Sequence, residues 1–220
     1  MNNFFALIAI TVIMTWGSPC HAQTLDWGSE VFSDLVDSEG ETLDSMFVFQ
    51  LGAFVEGFTP DEDNVGDWAD NWRVFDQAAY NQANGYFTGT AGMADDGTGL
   101  SSHATAGFSF EGLSAYIWVR NGDDPVEGTE WFLARADSWV FPDAVPGCCD
   151  NEPNAQWSVS ELDGGDVPVW GSQGGITGNG SYTVTGNHSL QTFTFVPEPS
   201  SPLLSALAVA LAVLRRRRAA

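Results

Sequence analysis

The chain contains no lysine; its seven basic residues are all arginines. Without a side-chain amine no Schiff base can form, which removes one route of covalent catalysis. Four of the arginines are consecutive, Arg215 to Arg218, so only Arg73, Arg120 and Arg135 face the acids in the rest of the chain. Of the 29 carboxylates, all but Glu198 lie between Gln23 and Pro197, and that stretch carries a net charge of about −25. A surface of this sign repels phosphates and anionic headgroups, which excludes nucleic acid as a partner. The acids are interleaved with aromatic residues, including eight of the nine tryptophans, and such a composition supplies a core rather than a disordered chain.

Cysteine and histidine are nearly as scarce. Beyond Cys20 the only cysteines are the neighbours Cys148 and Cys149, a pair in which the usual disulfide geometry is strained, so a disulfide scaffold is excluded. A vicinal bridge, a bond to another chain and two free thiols all stay open for that pair. Zinc would need spaced Cys and His ligands that are not present. His103 and His188 are the only histidines after His21, no Gly-x-Ser-x-Gly pentad occurs, and no phosphate-binding glycine loop is found. So many carboxylates guarantee accidental pairs, and no glycosidase dyad can be singled out. The expectation is a protein with no catalytic residues.

What is present reads as β structure. Met46 to Leu51, Gly85 to Ala91, Thr105 to Phe110, Ser114 to Arg120, Glu130 to Ala136 and Ser181 to Thr185 are short and rich in β-branched and aromatic residues. Gly164-Gly165, Gly174-Gly175 and Asn179-Gly180 mark turns. The pattern predicts a single mainly β domain over residues 23–195, a β-sandwich or jelly-roll. One helix is expected from Asp67 to Gln82, because Trp68, Trp72, Phe75 and Ala79 fall at helical intervals, with Asn64 or Asp67 as its N-cap.

Just before that helix, Asp61-Glu62-Asp63-Asn64-Val65-Gly66-Asp67 sets oxygens at alternate positions ahead of a glycine. Hard cations collect such oxygens, so Asp61, Asp63, Asn64 and Asp67 are candidate ligands for calcium, the only cofactor the sequence hints at. Val65 stands where a third side-chain ligand belongs, and Trp72 where an EF-hand has its bidentate glutamate. A solvated acidic loop capping the next helix is the competing reading. The tryptophans pose a similar choice. Trp68, Trp72, Trp118 and Trp131 either pack a core or stack on sugar rings, and the second makes a secreted carbohydrate-binding, lectin-like module the alternative function.

The two ends carry addresses. Phe4 to Trp16 is almost wholly apolar and is followed by small residues at Cys20 and Ala22, which predicts a signal peptide over 1–22 with cleavage before Gln23. The n-region has no Lys or Arg, which keeps an uncleaved anchor as the competitor. Pro19 fits a lipoprotein cleavage rule badly. At the other end, Val196-Pro197-Glu198-Pro199-Ser200 leads into an apolar run, expected as a transmembrane helix over 202–214, which stops at Arg215, Arg216, Arg217 and Arg218. Arginines beside a membrane segment resist translocation and hold that end in the cytoplasm. The run is short, about 18 Å of helix against a hydrocarbon core of ~30 Å.

This order of Pro-Glu-Pro, apolar helix and basic cluster over residues 196–220 resembles the PEP-CTERM sorting signal of bacterial surface proteins. Further likeness lies in Phe49-Gln50-Leu51-Gly52-Ala53-Phe54, Gly57-Phe58-Thr59-Pro60, Asn64, Trp68 and Trp72. It continues in Ala115-Tyr116-Ile117-Trp118-Val119, Glu130-Trp131 and Ser138-Trp139-Val140-Phe141-Pro142. The resemblance implies signal peptidase and an exosortase, a membrane-embedded cysteine transpeptidase, as partners during export. It implies a membrane-anchored precursor that ends at the cell surface or in the extracellular matrix, beside the cell envelope or exopolysaccharide. It brings no catalytic residues to carry over.

Overall fold

A computed structural model describes residues 23–143, 155–184 and 186–195. The expected signal peptide, Cys148-Cys149, the Val196 to Ser200 motif, the apolar run 202–214 and Arg215 to Arg218 lie outside the described residues. The chain forms β1 (Gln23–Gly28), β2 (Leu35–Val36), β3 (Val48–Phe54), α1 (Trp68–Asn71), β4 (Trp72–Asn81), β5 (Tyr86–Met93), β6 (Tyr116–Arg120), β7 (Glu130–Ala134), β8 (Ala155–Ser158), β9 (Ser172–Gln173), β10 (Ile176–Thr177), β11 (Leu190–Gln191) and β12 (Phe193–Thr194). Eight strands make one sheet in the order β12-β7-β6-β3-β4-β5-β1-β8, which curls into a half-barrel; a smaller sheet runs β10-β9-β11-β2. The fold is mainly β, with two sheets. Among the described residues no helix is long and apolar enough to cross a membrane.

Side-chain alternation explains how the large sheet is covered on both faces. Leu51 pairs with Ile117 and Ile117 with Ala134, and these join Phe49, Val119 and Phe132 in the inner core cluster. The alternate positions, Trp118 and Leu133, point the other way, into an outer cluster with Phe54, Trp68, Trp72, Trp131 and Trp170. Strands buried on both faces read as continuous apolar runs, as Tyr116-Ile117-Trp118-Val119 and Trp131-Phe132-Leu133-Ala134 do. At the rim of the outer cluster the Arg120 guanidinium lies 4.0 Å from the Trp118 ring centroid and bonds Asp123 at 2.8 Å. Burial draws the pKa of Arg120 below its ordinary value, and the Asp123 hydrogen bond opposes that.

The helix expected from Asp67 to Gln82 is corrected to one turn, α1, after which Trp72, Phe75 and Ala79 lie in strand β4. The cause is a β-bulge. Leu51 pairs with Asp76 but Gly52 pairs with Val74, so Phe75 is an extra residue on β4. Before the bulge Trp72 and Val74 face the outer cluster; Phe75 then turns into the inner one, where Ala78 and Tyr80 also pack. The change of phase leaves a three-residue gap between Trp72 and Phe75 that imitates a helical turn. Asp67, one of the two expected candidates, is the N-cap residue of α1, but no side chain caps that helix. Asp61 caps the 3-10 turn Glu62–Asp67, and Asp67 makes no capping side-chain bond to α1.

Two expected strands are also corrected. Thr105 to Phe110 is a turn, closed by Phe108 N–H donating to the Thr105 carbonyl at 3.3 Å with Gly107 at φ +69, followed by a single bridge from Ser109 to Thr98. Ser181 to Thr185 contributes a bridge from Ser181 to Thr194 rather than a strand over its described residues. The Gly174-Gly175 turn is a hairpin between β9 and β10 with both glycines at positive φ, which only glycine adopts freely at two successive positions.

Candidate functional site

The Asp61 to Asp67 segment is built by its own side chains. Asp61 Oδ1 accepts the N–H groups of Asp63 and Asn64, each at 3.0 Å, while Asn64 Oδ1 accepts Asp61 N–H at 3.0 Å and Trp68 Nε1–H at 2.7 Å. This reciprocal capping box starts the turn and aims Trp68 at the outer cluster. With two donors on it, Asn64 Oδ1 has both lone pairs engaged. Among the described residues no group of three His, Cys, Asp or Glu is arranged to hold a metal. Asp61→Ala is expected to cost about 1 kcal/mol in calcium-free buffer, the loss of one cap. Chemical denaturation with and without millimolar calcium checks this, because the loss from removing a ligand grows with added metal and the loss from removing a cap does not.

The tryptophans of residues 23–195 are all buried, none more than 7% exposed. Their indole N–H groups are largely spent inside: Trp27 on Asp76 Oδ2 at 2.8 Å, Trp72 on Gln50 Oε1 at 3.0 Å, Trp139 on Glu161 Oε2 at 3.0 Å and Trp170 on the Phe193 carbonyl at 3.0 Å. No tryptophan platform faces solvent among the described residues. A different aromatic does. Phe32 is 80% exposed, next to the exposed Val31.

Phe32 sits in the turn that follows β1. Ser33 closes the turn by donating its N–H and its hydroxyl to the Glu30 carbonyl at 3.3 and 2.7 Å. Phe32 N–H donates to the Asn84 carbonyl at 2.9 Å, which pins the turn to the start of β5. Phe32 has φ +63, a left-handed conformation that costs a residue with a Cβ roughly 1–2 kcal/mol.

Glu30 and Ser33, flanking Phe32, form one wall of a groove of about 200 Å³. Its other wall comes from the small sheet. Leu35 of β2 pairs in parallel with Leu190 of β11, which sets Asp34 against the residues just before β11. There His188 Nδ1 lies 2.6 Å from Asp34 Oδ2, and Ser189 Oγ accepts Asp34 N–H at 3.2 Å. No serine hydroxyl bonds to the His188 imidazole among the described residues. Gln173 of β9 lines the groove, 5% exposed, and among the described residues its Nε2 meets only the Asp163 carbonyl at 3.5 Å, the limit of a hydrogen bond. Asn187 and Ser160 complete the polar lining.

A second groove, about 520 Å³, lies between Glu62 and Asp63 of the capped turn and the Trp170 and Phe195 rings, which stack at 22°. Thus the sequence-predicted Asp63 reaches a cavity, whereas Glu30, Gln173 and Asn187, which line the first groove, escaped sequence reasoning. Compared with protein-family models, curated proteins and solved structures, the chain matches none of them, so no activity comes to it by likeness of sequence or fold.

Proposed function

We propose that this chain is an exported, non-catalytic protein of the cell surface or extracellular matrix, sorted through a PEP-CTERM-like C-terminal tail and folded as an acidic β-sandwich. The observation that carries the reading is the order of three features in 25 residues or so: Val196 to Ser200, an apolar run, and Arg215 to Arg218. The Pro-Glu-Pro step disfavours helix and leaves an extended segment for a processing enzyme, while the arginines hold the far end in the cytoplasm. The fold supports the reading from the other side. Phe193 pairs with Trp131, and Phe195 N–H donates to the Thr129 carbonyl at 2.9 Å, so the last bonded residue of the described sheet immediately precedes Val196. Processing at Pro197 to Ser200 would therefore leave the bonded strand intact.

The test is intact-mass spectrometry of the mature protein from a host that has an exosortase. The expected mass begins at Gln23 and lacks Arg215 to Ala220. Replacing all four arginines by Ser is expected to weaken retention and processing. A mature protein that still ends in Ala219-Ala220 in such a host would refute the sorting assignment and leave an ordinary C-terminal anchor.

A further inference from the structure

We infer that the groove between the Glu30 to Ser33 turn and the small sheet seats the acetamido group of a neutral N-acetylated amino sugar. The inference names a ligand class for the exported domain; it rests on the surface-protein reading only for where such a sugar would be met. No tryptophan, tyrosine or phenylalanine lines this groove, so recognition there does not run through a sugar face stacked on an aromatic ring. At about 200 Å³ the groove is also smaller than the ~300 Å³ at which sites for whole ligands begin. A cavity of this size takes one substituent and leaves the rest of the molecule at its mouth.

The lining decides which substituent. Val159 and Leu162, 3% and 6% exposed, give the groove an apolar patch, and the same groove holds Gln173. Among the described residues the Gln173 amide is left with a marginal Nε2 bond and with no donor to its Oε1. A buried amide in this state gains most from a ligand, because a bond made there replaces one the fold leaves nearly unmade. A hydroxyl would serve the amide but set a polar group against the apolar patch, and an alkyl group would cover the patch but seal the amide unpaired. An acetamido group carries both halves, a methyl for Val159 and Leu162 and a carbonyl to accept from Gln173 Nε2. In a trans secondary amide the N–H points away from the C=O, hence from the small sheet toward the opposite wall. That wall is Glu30. The Ser29 and Ser33 hydroxyls bond its backbone carbonyl, which leaves the carboxylate without a partner among the described residues and free to accept the N–H. Ser189 Oγ accepts Asp34 N–H, so its own hydrogen is available to a ring hydroxyl at the mouth. The Glu30 charge disfavours acidic sugars, which selects neutral ones.

The experiment is isothermal titration calorimetry of the full chain, held in a detergent without a sugar headgroup. The probes are N-acetylglucosamine, N-acetylgalactosamine and N-acetylmannosamine, each beside its parent hexose, and N-acetylglycinamide, which has the amide without the ring. At least one acetamido sugar is expected to bind about tenfold or more tighter than its parent hexose, the size of one buried polar contact. Gln173→Ala and Glu30→Ala should each weaken that binding about tenfold. Glu30 is exposed and the turn closes on its backbone carbonyl, so Glu30→Ala should melt with the wild type, and its lost binding cannot be lost folding. Binding of no acetamido sugar would overturn the site, as would affinity equal to that for the parent hexose or unchanged affinity in Glu30→Ala. N-acetylglycinamide bound as tightly as the best sugar would overturn it in favour of a peptide amide. None of these results bears on the mass of the mature C-terminus, so this site and the sorting reading fail separately.

Discussion

Trp68→Ala is expected to lower the free energy of unfolding by about 3–5 kcal/mol, the range for removing a large ring from a packed core. A domain of this kind has roughly 5–15 kcal/mol in all, so about a fifth or more of its stability is at stake. Trp68 has no exposed surface and is ringed by Phe54, Trp118, Trp131 and Trp170 at centroid distances of 5.6–6.3 Å. It reaches that place on a helix of one turn, far too short to hold itself, so the ring holds the helix as much as the helix holds the ring. Truncation also removes the indole donor to Asn64 Oδ1, a bond that ties the ring to the capped turn. Trp68→Phe keeps most of the apolar area and should cost clearly less. Urea denaturation of the three proteins decides the matter, and a loss under ~1 kcal/mol for the alanine variant would mean that the segment 62–71 does not seal the outer face.

The sequence discloses the parts of this fold in which one face or both faces of a strand are apolar. Ser114 to Arg120 and Glu130 to Ala136 are legible as strands because burial on both sides makes them continuous hydrophobic runs, and β6 and β7 fall inside them. The same two-sided burial hides which tryptophans are core, because a residue on the far face of a sheet looks in sequence like one on an exposed platform. Trp118 and Trp131 are distinguishable only once α1 and the strand segments around Trp170 are seen to cover them. Strand β4 illustrates a harder case. Its period is broken by one extra residue at Phe75, and a bulge is specified by the partner strand rather than by local propensity. The groove is less legible still. Asp34, Gln173 and His188 come from separate parts of the chain and meet through pairings of one or two residues, too short to leave a periodic trace.

The bulge is also the place where the smallest substitution should do the most damage. Gly52→Ala is expected to destabilise the domain by about 3 kcal/mol or more, at or above the upper end of what overpacking usually costs. A Cβ at position 52 would lie inside contact distance of the Arg73 carbonyl oxygen, and 2.6 Å from Trp72 Cζ2. A flexible side chain could swing away, but a ladder carbonyl cannot. Trp72 is held by its own bond to Gln50 and by its packing on Phe54 and Trp118. Relief therefore requires β3 and β4 to part, or the extra residue to leave Phe75. Moving the bulge by one residue would turn Phe75 out of the inner cluster or Val74 out of the outer one, since successive side chains point to opposite faces. Gly66→Ala is the matched control. No atom lies within 4 Å of a Cβ built there, its φ is not in the left-handed range, and the change should be neutral or stabilising by up to ~1 kcal/mol. Parallel urea titrations of the two variants measure the contrast, and a Gly52→Ala protein as stable as wild type would show that β3 and β4 do not pass each other at this close approach.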